Sequence, residues 1–244
     1  MLLLAIPFLS SGQFVSLALS GGIPQNDFSN NTDAFGFGGD LSFGMPFQKD
    51  IPIYLGLDLN YMVFGLNAEY QNLSADIVTG NGVVLDRINI PLRIVNTNSL
   101  FGTHAFMRAV IPFELVQPYV EGLVGFRYIS TTTRIEDRSI DRRFSNDDDD
   151  NNIARNTVLD DWIFSYGYGG GFMIRLGQNT FMDLRANFFK GQNARYYDGT
   201  DTESWTVQFN GDPGKYNVND PNRISAGDLE YDAIPRESTT DLLV

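Results

Sequence analysis

The chain has 244 residues, enough for one large domain or two small ones, and its 43% hydrophobic content excludes overall disorder. A net charge of −13 argues against nucleic acid as a partner, because phosphate recognition begins with a basic field, and an anionic membrane surface would repel the chain too. With no cysteine there is no disulfide, thiolate metal site or lipidated cysteine.

Met1 to Leu9 is a short apolar run followed by Ser10, Ser11 and Gly12, like the hydrophobic region and cleavage site of a secretory signal. The basic residues that usually precede such a region are absent, and the run is far too short to span a bilayer as a helix. Residues 1–12 are therefore expected to be the remnant of a signal peptide. No later segment reads as a transmembrane helix, so any membrane crossing must use strands.

Seven extended segments follow, at about 14–24, 35–46, 52–65, 99–111, 117–130, 162–176 and 180–190. The third has the clearest alternation. Ile53, Leu55, Leu57, Leu59, Tyr61 and Val63 are apolar or aromatic, while Asp58 and Asn60 fall on the even positions. A period of two sustained over such a stretch requires an extended strand between two different surroundings. The fifth segment sorts Val120, Val124, Phe126 and Tyr128 from Tyr119, Glu121, Gly125 and Arg127. In the sixth, Trp162, Phe164, Tyr166, Tyr168, Phe172, Ile174 and Leu176 separate from Ser165, Gly167, Gly169, Gly171, Met173 and Arg175. The seventh sorts Met182, Leu184, Ala186 and Phe188 from Asp183, Arg185 and Asn187.

The connections alternate in length. Those after the second, fourth and sixth segments are short, and four long ones cover about 25–34, 66–98, 131–161 and 191–237. Short turns at one end and long loops at the other are the habit of outer-membrane barrels, whose short turns face the periplasm. The apolar set of every segment is read as outward and free of charge, since Lys or Arg at the bilayer midplane costs about 2–4 kcal/mol. Aromatic residues concentrate near the segment ends, where amphipathic rings favour a membrane interface. A soluble antiparallel sandwich also alternates, but it does not account for strands this long, the alternating loop lengths, or glycines clustered on the polar face.

The polar face carries Asp40, Asp58, Glu121 and Asp183 against Arg108, Arg127, Arg175 and Arg185. An eight-stranded barrel is just wide enough for its own side chains to fill it, so this balanced set is expected to plug the lumen by pairing. A gated narrow pore is the competing use of the same charges. Which acid meets which base depends on barrel stagger and stays open at this stage. Seven strands leave the ring unclosed, and unpaired backbone in hydrocarbon costs several kcal/mol per group. The only remaining candidate strand is the extended pattern that begins at Ser238 and runs to Val244, so the chain is expected to be a fragment that stops about a third of the way through its closing strand.

Four stretches, Val116-Gln-Pro-Tyr-Val-Glu-Gly-Leu-Val-Gly-Phe-Arg-Tyr128, Tyr166-Gly-Tyr-Gly-Gly-Gly-Phe172, Phe189-Lys-Gly-Gln-Asn-Ala-Arg-Tyr-Tyr197 and Ser238-Thr-Thr-Asp-Leu-Leu243, carry a resemblance by their order and spacing. The chain resembles small outer-membrane β-barrel proteins of Bacteroidota, similar in architecture to the OmpA and OmpX barrels. That resemblance covers most of the chain from Gln13 onward and implies a fold and a location, with no catalytic residues. In that family the last segment continues to a terminal aromatic residue, which this chain lacks.

His104 is the single histidine, inward with Gly102, Phe106 and Arg108, and reads as part of the polar filling rather than as the general base of a surface enzyme. Asp147 to Asp150 with Asn151 and Asn152 form an acidic tip on the third long loop. It lacks the spacing of a calcium loop and reads as a solvated turn. Tyr196, Tyr197, Trp205, Phe209 and Tyr216 on the last long loop are candidates for a cap or a binding surface. The expectation is an all-β, eight-stranded, up-and-down antiparallel transmembrane barrel over residues 13–244, in the outer membrane of a Gram-negative bacterium with its N-terminus periplasmic. Its role is structural scaffold or surface-loop display. No cofactor or metal is expected, and the partners are outer-membrane lipid and envelope proteins met through loops or turns. Transport of small solutes or hydrophobic ligands is the alternative, and a surface enzyme the remote one.

Overall fold

The computed structural model describes residues 2–6, 13–32, 35–78, 84–138, 152–197, 208–209, 223–226, 229–232 and 235–244. In chain order the elements are β1 (Leu2–Ile6), β2 (Phe14–Pro24), α1 (Asn26–Asn31), β3 (Gly36–Gln48), β4 (Ile51–Val78), β5 (Val84–Val110), β6 (Val116–Asp137), β7 (Asn152–Arg175) and β8 (Phe181–Gly191). Then come β9 (Asn193–Tyr197), β10 (Gln208–Phe209), β11 (Arg223–Ala226), β12 (Leu229–Asp232), β13 (Pro235–Thr239) and β14 (Leu242–Leu243).

The strands β2 to β8 pair antiparallel, each with the next, and β14 lies between β8 and β2, so the sheet closes into an eight-position up-and-down ring. Two segments share the closing position. Leu243 faces Ile23 on β2 and Phe188 on β8, while Leu3 of β1 faces Ala18 and Asp183 on the same two strands. Five residue positions separate these two points along both neighbours, so β14 and β1 are collinear and in one register. The stretch read from the sequence as a signal remnant is thus strand-paired over Leu2–Ile6.

The alternation becomes the two faces of the wall. Exposed large side chains, among them Leu17, Leu41, Leu57, Val120, Phe126, Tyr168, Phe172 and Leu184, form an apolar outer band, while the opposite parity is buried inside. One outward charge breaks the expected exclusion: Lys190 is exposed on β8, opposite Tyr166 and one residue from the end of the strand. Its parity was legible, and its place at the end of the apolar band lets the ammonium reach water. The turn between β3 and β4 is only two residues long, and Asp50 there takes φ 70°, a left-handed conformation that Asp tolerates.

The long loops expected at 66–98 and 131–161 are mostly strand, since β4 and β5 pair as far as Val78 and Val84, and β6 and β7 as far as Glu136 and Asn152. These ladders continue past the apolar band because their pairing does not need an apolar outer row. Asn98 accepts from Thr131 at 2.6 Å and Asn96 accepts from Thr133 at 2.5 Å across β5 and β6, and β-branched residues suit an extended backbone. The first long connection holds α1. The last one holds β9 paired with β13, and a small β10–β12–β11 sheet.

Candidate functional site in the barrel lumen

Inward positions on five strands build an ionic layer near the short-turn end. Arg108 on β5 reaches Glu121 on β6 at 2.7 Å and Asp183 on β8 at 3.2 Å. Its guanidinium stacks on Tyr119, 3.9 Å from the ring centre, and the Tyr119 hydroxyl donates to Asp183 at 2.8 Å. Arg185 on β8 reaches Asp58 on β4 at 2.9 Å, Asp40 on β3 at 3.4 Å and Glu121 at 3.7 Å. Ser42 donates to Asp58 at 2.5 Å, Asn60 to Asp40 at 2.8 Å and Asn187 to Glu121 at 2.7 Å. The cross-strand network is fully buried, with Asp58 and Arg108 at 0% and 1% exposure.

The glycines of β7 make room for these long side chains. A Cβ on Gly171 would lie 2.7 Å from the Tyr119 hydroxyl, and one on Gly169 would collide with Asn187 and with the Ala186 carbonyl. Small residues on the inner face of a narrow barrel are therefore a packing requirement.

The expected balance of four acids and four arginines does not hold. Arg175 is exposed at the last position of β7, with its guanidinium 5.5 Å from the Phe181 ring centre, because the inner face there opens at the rim. Arg127 is buried but higher in the lumen. It donates to the Thr240 carbonyl at 3.0 Å and lies 4.4 Å from the Phe189 ring centre, with no carboxylate at ion-pair distance among the described residues. Four carboxylates therefore converge on two guanidiniums. Tyr119, Ser42, Asn60 and Asn187, which complete the layer, were missed as site residues although their inward parity was legible.

His104 brings its Nε2 within 2.6 Å of the Ser165 hydroxyl, the separation of a base and a nucleophile. Both residues are buried inside the barrel, His104 stacks 4.9 Å from Phe189, and its Nδ1 has no partner. Among the described residues no acid is hydrogen-bonded to it in the way that orients the base of a catalytic triad.

Above the ionic layer the lumen turns apolar, contrary to the expected polar filling. Met62, Phe64, Leu100, Ile129, Ile163 and Leu242 from the wall pack with Phe28 of α1 and with Ala194 and Tyr196 of β9. Phe28 meets Phe64 edge-on at 5.7 Å and Tyr196 at 5.6 Å, and the Tyr196 hydroxyl sits 2.9 Å from Ser238. The first and last long connections thus meet inside the mouth. Asn26 donates to Asp241 at 2.7 Å and the Gln25 amide donates to the Asp241 carbonyl at 2.9 Å, which ties α1 to the closing segment. A sequence signal existed: at Met62, Phe64, Leu100 and Ile163 the inward positions are apolar, so both faces read alike.

The acidic tip at 147–151 and the aromatic residues Trp205 and Tyr216 lie outside the described residues. Among the described residues no three carboxylate or imidazole groups are arranged as metal ligands, and no helix is long and apolar enough to cross a membrane. No family model, curated protein or solved structure matches the chain.

Proposed function

We propose that this chain is a non-enzymatic barrel of a Gram-negative outer membrane, with its short turns in the periplasm, that displays its long connections at the cell surface. The observation that carries this reading is the double closure of the lumen. The ionic layer and the apolar seal cross the same interior at two heights, and each is made from several strands. A barrel of eight strands has no width left for solute once such side chains fill it. The exposed apolar wall, with Leu17 at 65% and Val120 at 66% exposure, suits lipid rather than water. The 11 residues of β2 and of β8 match the length of a tilted strand crossing a bilayer.

The surface structures are then the working part. The β4–β5 and β6–β7 hairpins rise beyond the apolar band as paired sheet, and β9 with β13 covers the mouth, which suits contact with other envelope proteins. Single-channel recording of the reconstituted full-length protein tests the reading. The expected result is a silent bilayer, and stable openings that disappear when lumen charges are substituted would overturn it.

A further inference from the structure

Strands β4 to β7 continue past the apolar band as one sheet, and its two outer edges differ. On the β7 side the Gln192 amide donates to the Phe164 carbonyl at 3.2 Å and the Arg195 amide donates to the Asp161 carboxylate at 3.3 Å, so the chain leaving β8 follows that edge. On the β4 side, β3 stops pairing where Phe37 faces Val63, while β4 runs on with β5 as far as Val78. Over residues 66–78 no strand other than β5 pairs with β4 among the described residues. This stretch carries a ladder on one side only, and water reaches it, with Tyr70 at 62% exposure and Asn72 also exposed.

Open edges are ordinarily short, or interrupted by Pro, Lys or a bulge, because each is a template for another strand. Residues 66–78 contain no Pro, Gly, Lys or Arg, and the register shifts fall at the ends, between Phe64 and Leu66 and between Ile77 and Val78. Glu69 and Asp76 are the only charged residues of the stretch. A second copy of this chain is a poor occupant. Copies side by side in one membrane run β4 in the same direction, so two such edges meet as a parallel pair, and a two-fold axis sets Glu69 against Glu69 and Asp76 against Asp76. The net charge of −13 adds to that repulsion. A segment of another protein is free to run antiparallel and to bring basic residues to the acidic strand.

We infer that the free edge of β4 at 66–78 binds an extended, basic segment of another protein, which joins the sheet as an antiparallel strand. Backbone hydrogen bonds to the edge hold the segment, and its Lys or Arg side chains favour this strand over neutral or acidic competitors. The inference rests on the surface-display reading for the side of the membrane on which the partner is met. Channel openings would sink that reading and leave binding at this edge untouched.

The experiment follows amide hydrogen exchange, residue by residue, in the full chain folded in a non-ionic detergent. In the free protein every second amide of 66–78 should exchange fast, because alternate groups of an edge strand point away from its one neighbour. A synthetic peptide of alternating lysine and threonine is the probe. It should slow that fast set by at least about tenfold, as a new ladder protects it, whereas the same peptide with N-methylated backbone amides should not. Asn72→Lys combined with Asp76→Lys places lysines on the edge and should remove the protection, with the unchanged slow set of amides showing that the variant is folded. Four results would each overturn the inference: slow exchange throughout 66–78 in the free protein, no slowing by the peptide, equal slowing by the methylated peptide, or protection retained in the double variant. Protection that rises with protein concentration alone would make a second copy the occupant and overturn it too.

Discussion

The lower and upper halves of the lumen solve the same problem in opposite ways. Near the short turns the interior is filled by ion pairs, with Arg108 and Arg185 reaching across from β5 and β8 to carboxylates on neighbouring and opposite walls. Near the long connections it is filled by Met62, Phe64, Leu100, Ile129 and Ile163, and sealed by Phe28 and Tyr196 from outside the wall. The lower layer depends on direction and pairing, so one lost partner leaves a buried charge. The upper layer depends on volume, so a lost ring leaves a cavity. Charge thus ties opposite walls of the ring together, while apolar packing ties the connections onto it.

The strongest challenge to that contrast is Arg185→Met. It leaves Asp40 and Asp58 without their shared cation and should cost about 3–5 kcal/mol, the usual result of breaking a buried pair from one side. The urea midpoint in detergent should fall steeply, and Asp58→Asn added to Arg185→Met should restore part of it. An additive double variant would show that the layer is no network. Next, Phe64→Ala in the apolar half should cost about 3 kcal/mol through the cavity it opens. The same variant should remain silent in single-channel recording, because the ionic layer still closes the lumen below it; channel openings from this change alone would mean the two halves are one seal.

Smaller effects sharpen the boundary of each region. Thr131→Val removes the 2.6 Å hydrogen bond to Asn98 beyond the apolar seal and should cost about 1 kcal/mol in thermal unfolding. Arg175→Ala should cost no more than about 1 kcal/mol, because among the described residues the exposed guanidinium has only the Phe181 ring beside it. A loss as large as that of Arg185→Met would return Arg175 to the network from which its exposure separates it.

The alternation Ile53, Leu55, Leu57, Leu59 against Asp58 and Asn60 was enough to assign the outer and inner faces of β4, and the same rule assigned the inward place of Asp40, Arg108, Glu121 and Asp183. It failed where the two faces stop differing. The facing segments of β5 and β6 were read as ending near Ser99 and Ser130, yet they continue through Asn96 and Thr133, because a ladder still pairs without an exposed apolar row to mark it. The outward Lys190 was open to the same parity rule, and its tolerance follows from its position at the strand end.

By itself, the sequence determined the strand faces and the places of the short turns, because side-chain parity is a local property of an extended chain. Only the tertiary structure decided which charges meet. Arg185 finds Asp40 and Asp58 on strands far from it in sequence, while Arg127 and Arg175 share its parity and stay outside the layer, because height in a tilted ring depends on the stagger of every ladder at once. The apolar seal has the same origin. Phe28 and Tyr196 come from separate connections and touch only because the ring brings the ends of β2 and β8 together.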